Sequence, residues 1–164
     1  MGVEAARSHY VVFNLATKIL RVLPSSIHAL GQARLGFDPI ASSHFHVIEF
    51  VEEDTECLGV DIYSSQTVAW IYKEFEWGQD IDDVIRSRSA SVFLNGCLHI
   101  MGKSLILVVD MEGKTWRKIP RPCGTLPSIN QAQGHICVCT IGGVGSHNMF
   151  HLSVWILEDY ATNK

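Results

Sequence analysis

At 164 residues the chain is long enough to bury a sizeable core in a single domain. A composition of 47% hydrophobic and 18% charged residues excludes an intrinsically disordered segment. The net charge is −4, and the basic residues come only in short groups such as Arg86/Arg88 and the run 114–118. A nucleic-acid partner, which a basic stripe would serve, is therefore not expected.

Nor is a membrane partner: the longest apolar runs are strand-length, far from the roughly 18–20 residues of a span. The first seven residues do not form a signal peptide. Five cysteines at irregular spacing and the lack of an Asn-x-Ser/Thr site argue against a secreted disulfide framework. The expected compartment is cytoplasmic or nuclear.

In chain order, residues 9–13 and 18–23 form the arms of a first hairpin, turning at Ala16-Thr17. Residues 24–38, punctuated by Pro, Ser and Gly, read as a connection. Residues 44–51 are rich in aromatic and β-branched side chains, as a strand requires, and 52–56 make a solvated hairpin tip. Residues 57–63 and 67–72 pair around Ser64-Ser65. Residues 73–90 break the pattern with Glu, Asp, Arg and a lone Trp77, giving a long loop with one helical turn near 81–85. Residues 91–100 carry Asn95-Gly96 between apolar strands, the signature of a type I′ hairpin. Strands at 105–110 and 115–119 follow, then 134–141 and 151–157. No amphipathic helix is predicted, so the fold class is all-β.

A motif recurs along this series. Residues 13–24 and 109–120 align without a gap: Asn14 or Asp110 precedes a turn, Lys follows within it, and an aliphatic-Pro pair ends the copy. Looser copies begin at Val60-Asp61 and near Trp155. With Asn14, Asp61, Asp110 and Glu158 as markers, the steps are 47, 49 and 48 residues (61 − 14, 110 − 61, 158 − 110). A fixed period of roughly 40–50 residues marks β-propeller blades. The expectation is a partial β-propeller of about three to four blades, each a four-stranded antiparallel sheet.

Several segments together resemble the plant F-box-associated propeller family. They are 12–18 ending in Leu23-Pro24, Leu35-Gly36-Phe37-Asp38-Pro39, 60–65 leading to Trp70, 91–99, 109–120 and 152–160. The resemblance implies a kelch-like repeat domain that recruits a target protein for ubiquitination. The N-terminal F-box of such proteins is not visible, and the chain reads as one segment, 1–164, truncated at both ends. Docking to a ligase scaffold is therefore expected only if an F-box is supplied elsewhere, and the target protein is unknown.

Catalytic chemistry finds no support in the motifs. His44 and His46 alternate on a strand and could in principle ligate a metal, as could Cys137 and Cys139 with His135. A Cys-x-Cys inside an apolar strand, however, packs two small side chains on one face. Gly142-Gly143 ends a strand without a phosphate-loop spacing, and no Gly-x-Ser-x-Gly elbow occurs. No catalytic residue, metal site or cofactor is expected, and the chain is read as a non-enzyme. Trp70, Trp116 and Trp155 are expected between blades. Trp77, Asp80, Arg86 and Arg88, in the irregular loop, are the expected protein-binding residues; Trp77 reads as an exposed anchor or, by the commoner alternative, as a side chain folded back onto the blades. The alternatives are a propeller enzyme with a channel site, or a non-functional remnant.

Overall fold

The computed structural model describes residues 9–28, 32–53, 56–78, 81, 84–85, 90–123, 125–144 and 149–157. These residues are all-β and form four antiparallel sheets. The first pairs β1 (Val11–Asn14) with β2 (Ile19–Val22). The second runs in order through β3 (Ala33–Phe37), β4 (Phe45–Glu53), β5 (Glu56–Ser64) and β6 (Ala69–Glu74). The third likewise contains β7 (Ser91–Leu94), β8 (Cys97–Met101), β9 (Leu105–Asp110) and β10 (Trp116–Pro120). The fourth holds β11 (Thr125–Ala132), β12 (His135–Val144) and β13 (Met149–Leu157). Among the described residues no helix is long and apolar enough to cross a membrane.

Every sheet is a simple meander, and β7 lies beside both β3 and β11. The first strands of three successive sheets thus sit together while later strands run outward, the arrangement of propeller blades around an axis. Gly36 marks one such approach: a Cβ there would stand 2.9 Å from the Phe93 ring of β7. The blade count agrees with the expectation, but only the second and third sheets carry the full four strands.

Blades adhere through their faces. Period-2 alternation sends Ile48, Phe50, Val60 and Ile62 to one side of the second sheet. There they meet Leu98, Ile100, Leu105, Leu107 and Val109 of the third. The opposite side of the third sheet (Leu94, Met101, Ile106, Val108) packs on Ile129, Ile136 and Val138 of the fourth. Leu105–Val109 is apolar throughout because β9 is buried on both faces. A third, smaller cluster joins Leu23 and Val12 beside the first hairpin to Val47 and Tyr63 of the second sheet.

Four expectations need correction. Strand β3 lies inside the predicted connection 24–38, and β11 was not anticipated. Both are polar or interrupted by Gly or Pro, and tertiary pairing overrides their weak propensity. Second, Asp61 is not the turn marker of its repeat. Ser64 holds that place, since its hydroxyl accepts from Gln66 N as Asn14 accepts from Ala16 and Thr17, and Asp110 from Glu112 and Lys114. The steps between marker residues are therefore 50 and 46 (64 − 14, 110 − 64). Lys18 and Val68, each four residues past its marker, share positive φ values of 57° and 56°. Third, Trp155 is 49% exposed, not packed between blades.

Fourth, Trp77 is a core side chain, 3% exposed. Its ring touches those of Phe50, Phe75 and Trp116, with centroids 6.1, 4.8 and 5.2 Å away. Ile81, Val84 and Ile85 are buried in the same cluster. The link between the second and third blades therefore fills the seam between them: its apolar residues recur at near-helical spacing and turn inward. Trp77→Ala is expected to cost about 3–5 kcal/mol through lost burial and the cavity left behind, read as a fall in denaturant midpoint at constant m-value.

His99 on β8 is fully buried among the third sheet's apolar neighbours. Burial pushes its pKa down to about 4; the Val92 and Cys97 carbonyls pull it upward, while the Arg117 charge adds to the lowering. The unfolded chain, with an ordinary histidine near 6.5, binds the proton more readily. Stability from neutral His99 is therefore present above about pH 6.5 and is lost as pH falls toward about 4, by roughly 3 kcal/mol in all. Chemical denaturation across that window should show this loss in the native chain and its absence in His99→Gln.

Candidate interaction cleft

The first hairpin and the second sheet do not close fully on each other. Tyr10, Val12 and Leu23 contact the sheet at one end, where Tyr10 and Trp70 lie 6.1 Å apart and Trp70 Nε1 donates to the Pro24 carbonyl at 2.8 Å. Toward the turn end the two separate into an open cleft of about 600 Å³. That volume falls within the roughly 300–1,000 Å³ of ordinary binding sites.

Strand alternation determines what faces it. Val12, Asn14, Ile19 and Arg21 occupy one side of the hairpin, because Val12 pairs with Arg21 and Asn14 with Ile19. Leu35 and Phe37 of β3 and Phe45 of β4 supply the opposite wall. Leu35 and Phe37 are 52% and 42% exposed, so the apolar wall is open to solvent.

The polar groups divide into committed and available ones. Asn14 Oδ1 is engaged by its own turn, and Ser65 Oγ accepts from Phe45 N at 2.8 Å. Arg21, Thr17, Ser43 and His44 are exposed on the rim. Among the described residues no carboxylate lines the cleft, and Arg21 is its one permanent charge. The site can therefore bury apolar side chains while offering a cation to an acidic group at its edge.

A buried polar layer fixes the hairpin's position. Glu49 and Asp61 are opposite partners on β4 and β5, 1% and 0% exposed. The Tyr10 hydroxyl donates to Glu49 Oε1 at 2.8 Å. His28 donates its backbone N–H to Asp61 Oδ2 at 2.9 Å, and its Nδ1 lies 3.2 Å from Oδ1. The His28 ring also rests 4.5 Å from that of Tyr72. Burial first, then the bond to Glu49, raises the Tyr10 pKa well above its ordinary value, which keeps the hydroxyl a donor. Two buried carboxylates with so little exposure leave no space for a substrate; they latch the first hairpin and the segment before β3 onto the second blade.

Of the expected site residues, Trp77 lies in the seam between the second and third blades, and Asp80, Arg86 and Arg88 lie outside the described residues. Of the histidines considered as ligands, His44 lines the cleft, whereas His46 packs toward Phe93 with ring centroids 6.3 Å apart. Cys137 and Cys139 do share a face, paired with Ile156 and Val154. No group of three or more ligand-type side chains is placed to hold a metal among the described residues. The cleft residues were missed because β3 was read as a connection. The signal that could have found them is the first hairpin itself, apolar on the side where Val11, Phe13, Leu20 and Val22 lie and mixed on the other.

Compared with known proteins, the chain matches no family model and no curated protein.

Tyr10→Phe removes the donor to a buried carboxylate and is expected to destabilise by about 1–3 kcal/mol. Thermal or urea unfolding measures it, and a loss confined to the first hairpin would appear as faster amide exchange in β1 and β2.

Proposed function

We propose that the chain is a non-catalytic protein-interaction module whose cleft seats an extended segment of a target protein. The observation that carries this reading is the pairing of an open apolar wall (Leu35, Phe37, Phe45) with the rim cation Arg21 and no carboxylate among the described lining residues. Charge complementarity selects a segment with apolar anchors and an acidic residue beside them. Loops and exposed edges on a rigid blade scaffold commonly serve recognition. The resemblance to plant F-box-associated, kelch-like propellers extends the proposal: the target would be held for ubiquitination by a ligase whose scaffold-docking F-box is supplied elsewhere, in the cytoplasm or nucleus.

A photo-cross-linking side chain at Phe37 tests it. The segment it captures in cells is sequenced, and binding of the matching synthetic peptide is measured by titration calorimetry. Phe37→Asp and Arg21→Glu should each weaken that peptide at least about tenfold, or 1.4 kcal/mol, while leaving the circular dichroism spectrum unchanged. A peptide whose affinity neither variant alters contradicts the assignment.

A further inference from the structure

The second, third and fourth blades meet through one repeated kind of contact, an apolar sheet face laid on the apolar face of the next. Two more such faces stand at the ends of the arc. On the first hairpin, Val11 pairs with Val22 and Phe13 with Leu20, so all four lie on one side, away from the second sheet. They are 53%, 62%, 49% and 56% exposed. On the fourth sheet, Leu152, Val154 and Ile156 alternate along β13, opposite Ile141, Cys139 and Cys137. They are 68%, 57% and 52% exposed, and their side is opposite to that of Ile136 and Val138, which face the third sheet. Soluble monomers seldom leave contiguous apolar patches of this kind uncovered.

We propose that these faces cover each other between two copies of the chain, the fourth sheet of each packing on the first hairpin of its partner. The proposal goes beyond the cleft reading: of the four outer residues Phe13 alone also borders the cleft, whose other strand residues on the hairpin, Val12, Asn14, Ile19 and Arg21, lie on the opposite side. Three arguments favour a second copy as occupant. The intermolecular contact continues the same face-to-face packing that the chain uses twice within itself. Each terminal face is matched by the other in chemistry and shape class, both being apolar sheet faces without a charged residue in the register pairs named. Area suffices as well. Seven half-exposed apolar side chains at on the order of 100 Å² each give roughly 700 Å² per contact and 1,400 Å² for two, the size of a standard specific interface.

Symmetry supplies the closure. A head-to-tail contact that did not close would grow into a filament. A two-fold axis along the propeller axis uses both faces of both copies and leaves none over. Four sheet positions among the described residues of each chain make eight in the pair, within the range of about four to eight blades that form rings.

Light scattering on the eluting peak of a sizing column tests the proposal. The expected mass is about 37 kDa, twice the 18.3 kDa of one chain. Leu20→Asp/Val22→Asp and Leu152→Asp/Val154→Asp should each give the single-chain mass with an unchanged circular dichroism spectrum. An equimolar mixture of the two variants should regain a weak two-chain species, since one intact face of each remains to pair. The charge pair Val22→Lys with Val154→Glu, combined in one chain, should restore the two-chain mass that either change alone abolishes, which separates a lost contact from misfolding. A native chain of single mass, an open-ended series of larger species, or a pair that survives the fourth-sheet changes overturns the proposal.

Discussion

Everything in this molecule depends on the seam between its second and third sheets. An isolated antiparallel sheet with two apolar faces cannot stay in water, and each sheet here is stabilised by what lies against it. The seam is the largest of three such contacts. It is the one filled from within, by Trp77, Ile81, Val84 and Ile85 arriving from the connecting segment. That segment crosses from β6 to β7, so the residues that fill the seam are those that carry the chain from blade to blade. Without Trp77, the rings of Phe50 and Trp116 would face a gap.

The remaining contacts fall off on either side. Between the third and fourth sheets the core is smaller but still apolar, and fully buried His99 is kept neutral near that boundary by its burial. Between the first hairpin and the second sheet the contact is partly polar, resting on Tyr10, Glu49, His28 and Asp61. A polar latch holds orientation where apolar area is scarce, and the space it leaves becomes the cleft. The same geometric gradient explains the fold and the candidate site: where blade faces meet fully there is core, and where they meet partially there is a binding surface.

Much of the fold was legible in the sequence because local signals and tertiary pairing agreed. Asn95-Gly96 adopts φ values of 52° and 73°, as a type I′ turn demands. The 105–109 run announces a strand buried on both sides. Legibility failed where a residue's role is set by distant partners. Gln133-Gly134 makes the β11–β12 turn with φ values of 49° and 79°, though Gln lacks the local preference of Asn. Asp61 looked like a turn residue beside its neighbours Val60 and Ile62, yet it lies inside β5 and receives His28 from another segment. Trp77 could be read as an anchor or as a side chain folded back onto the blades, because the charged residues around it in sequence do not decide which way it turns; its packing on Phe50, Phe75 and Trp116 is the second of these. The cleft was illegible for a related reason: it exists only once β3, an unremarkable Ala-Arg-Leu-Gly-Phe, is placed beside the first hairpin.

The central claim is that stability is graded outward from the Trp77 seam. Native-state amide hydrogen exchange, read residue by residue, tests it most directly. The account predicts that β4, β5, β8 and β9 exchange only through global unfolding. Strands β1 and β2 should exchange through a cheaper local opening that leaves the seam intact. Equal protection of the first hairpin and the seam strands, or earlier opening of β8 and β9 than of β1 and β2, would contradict it.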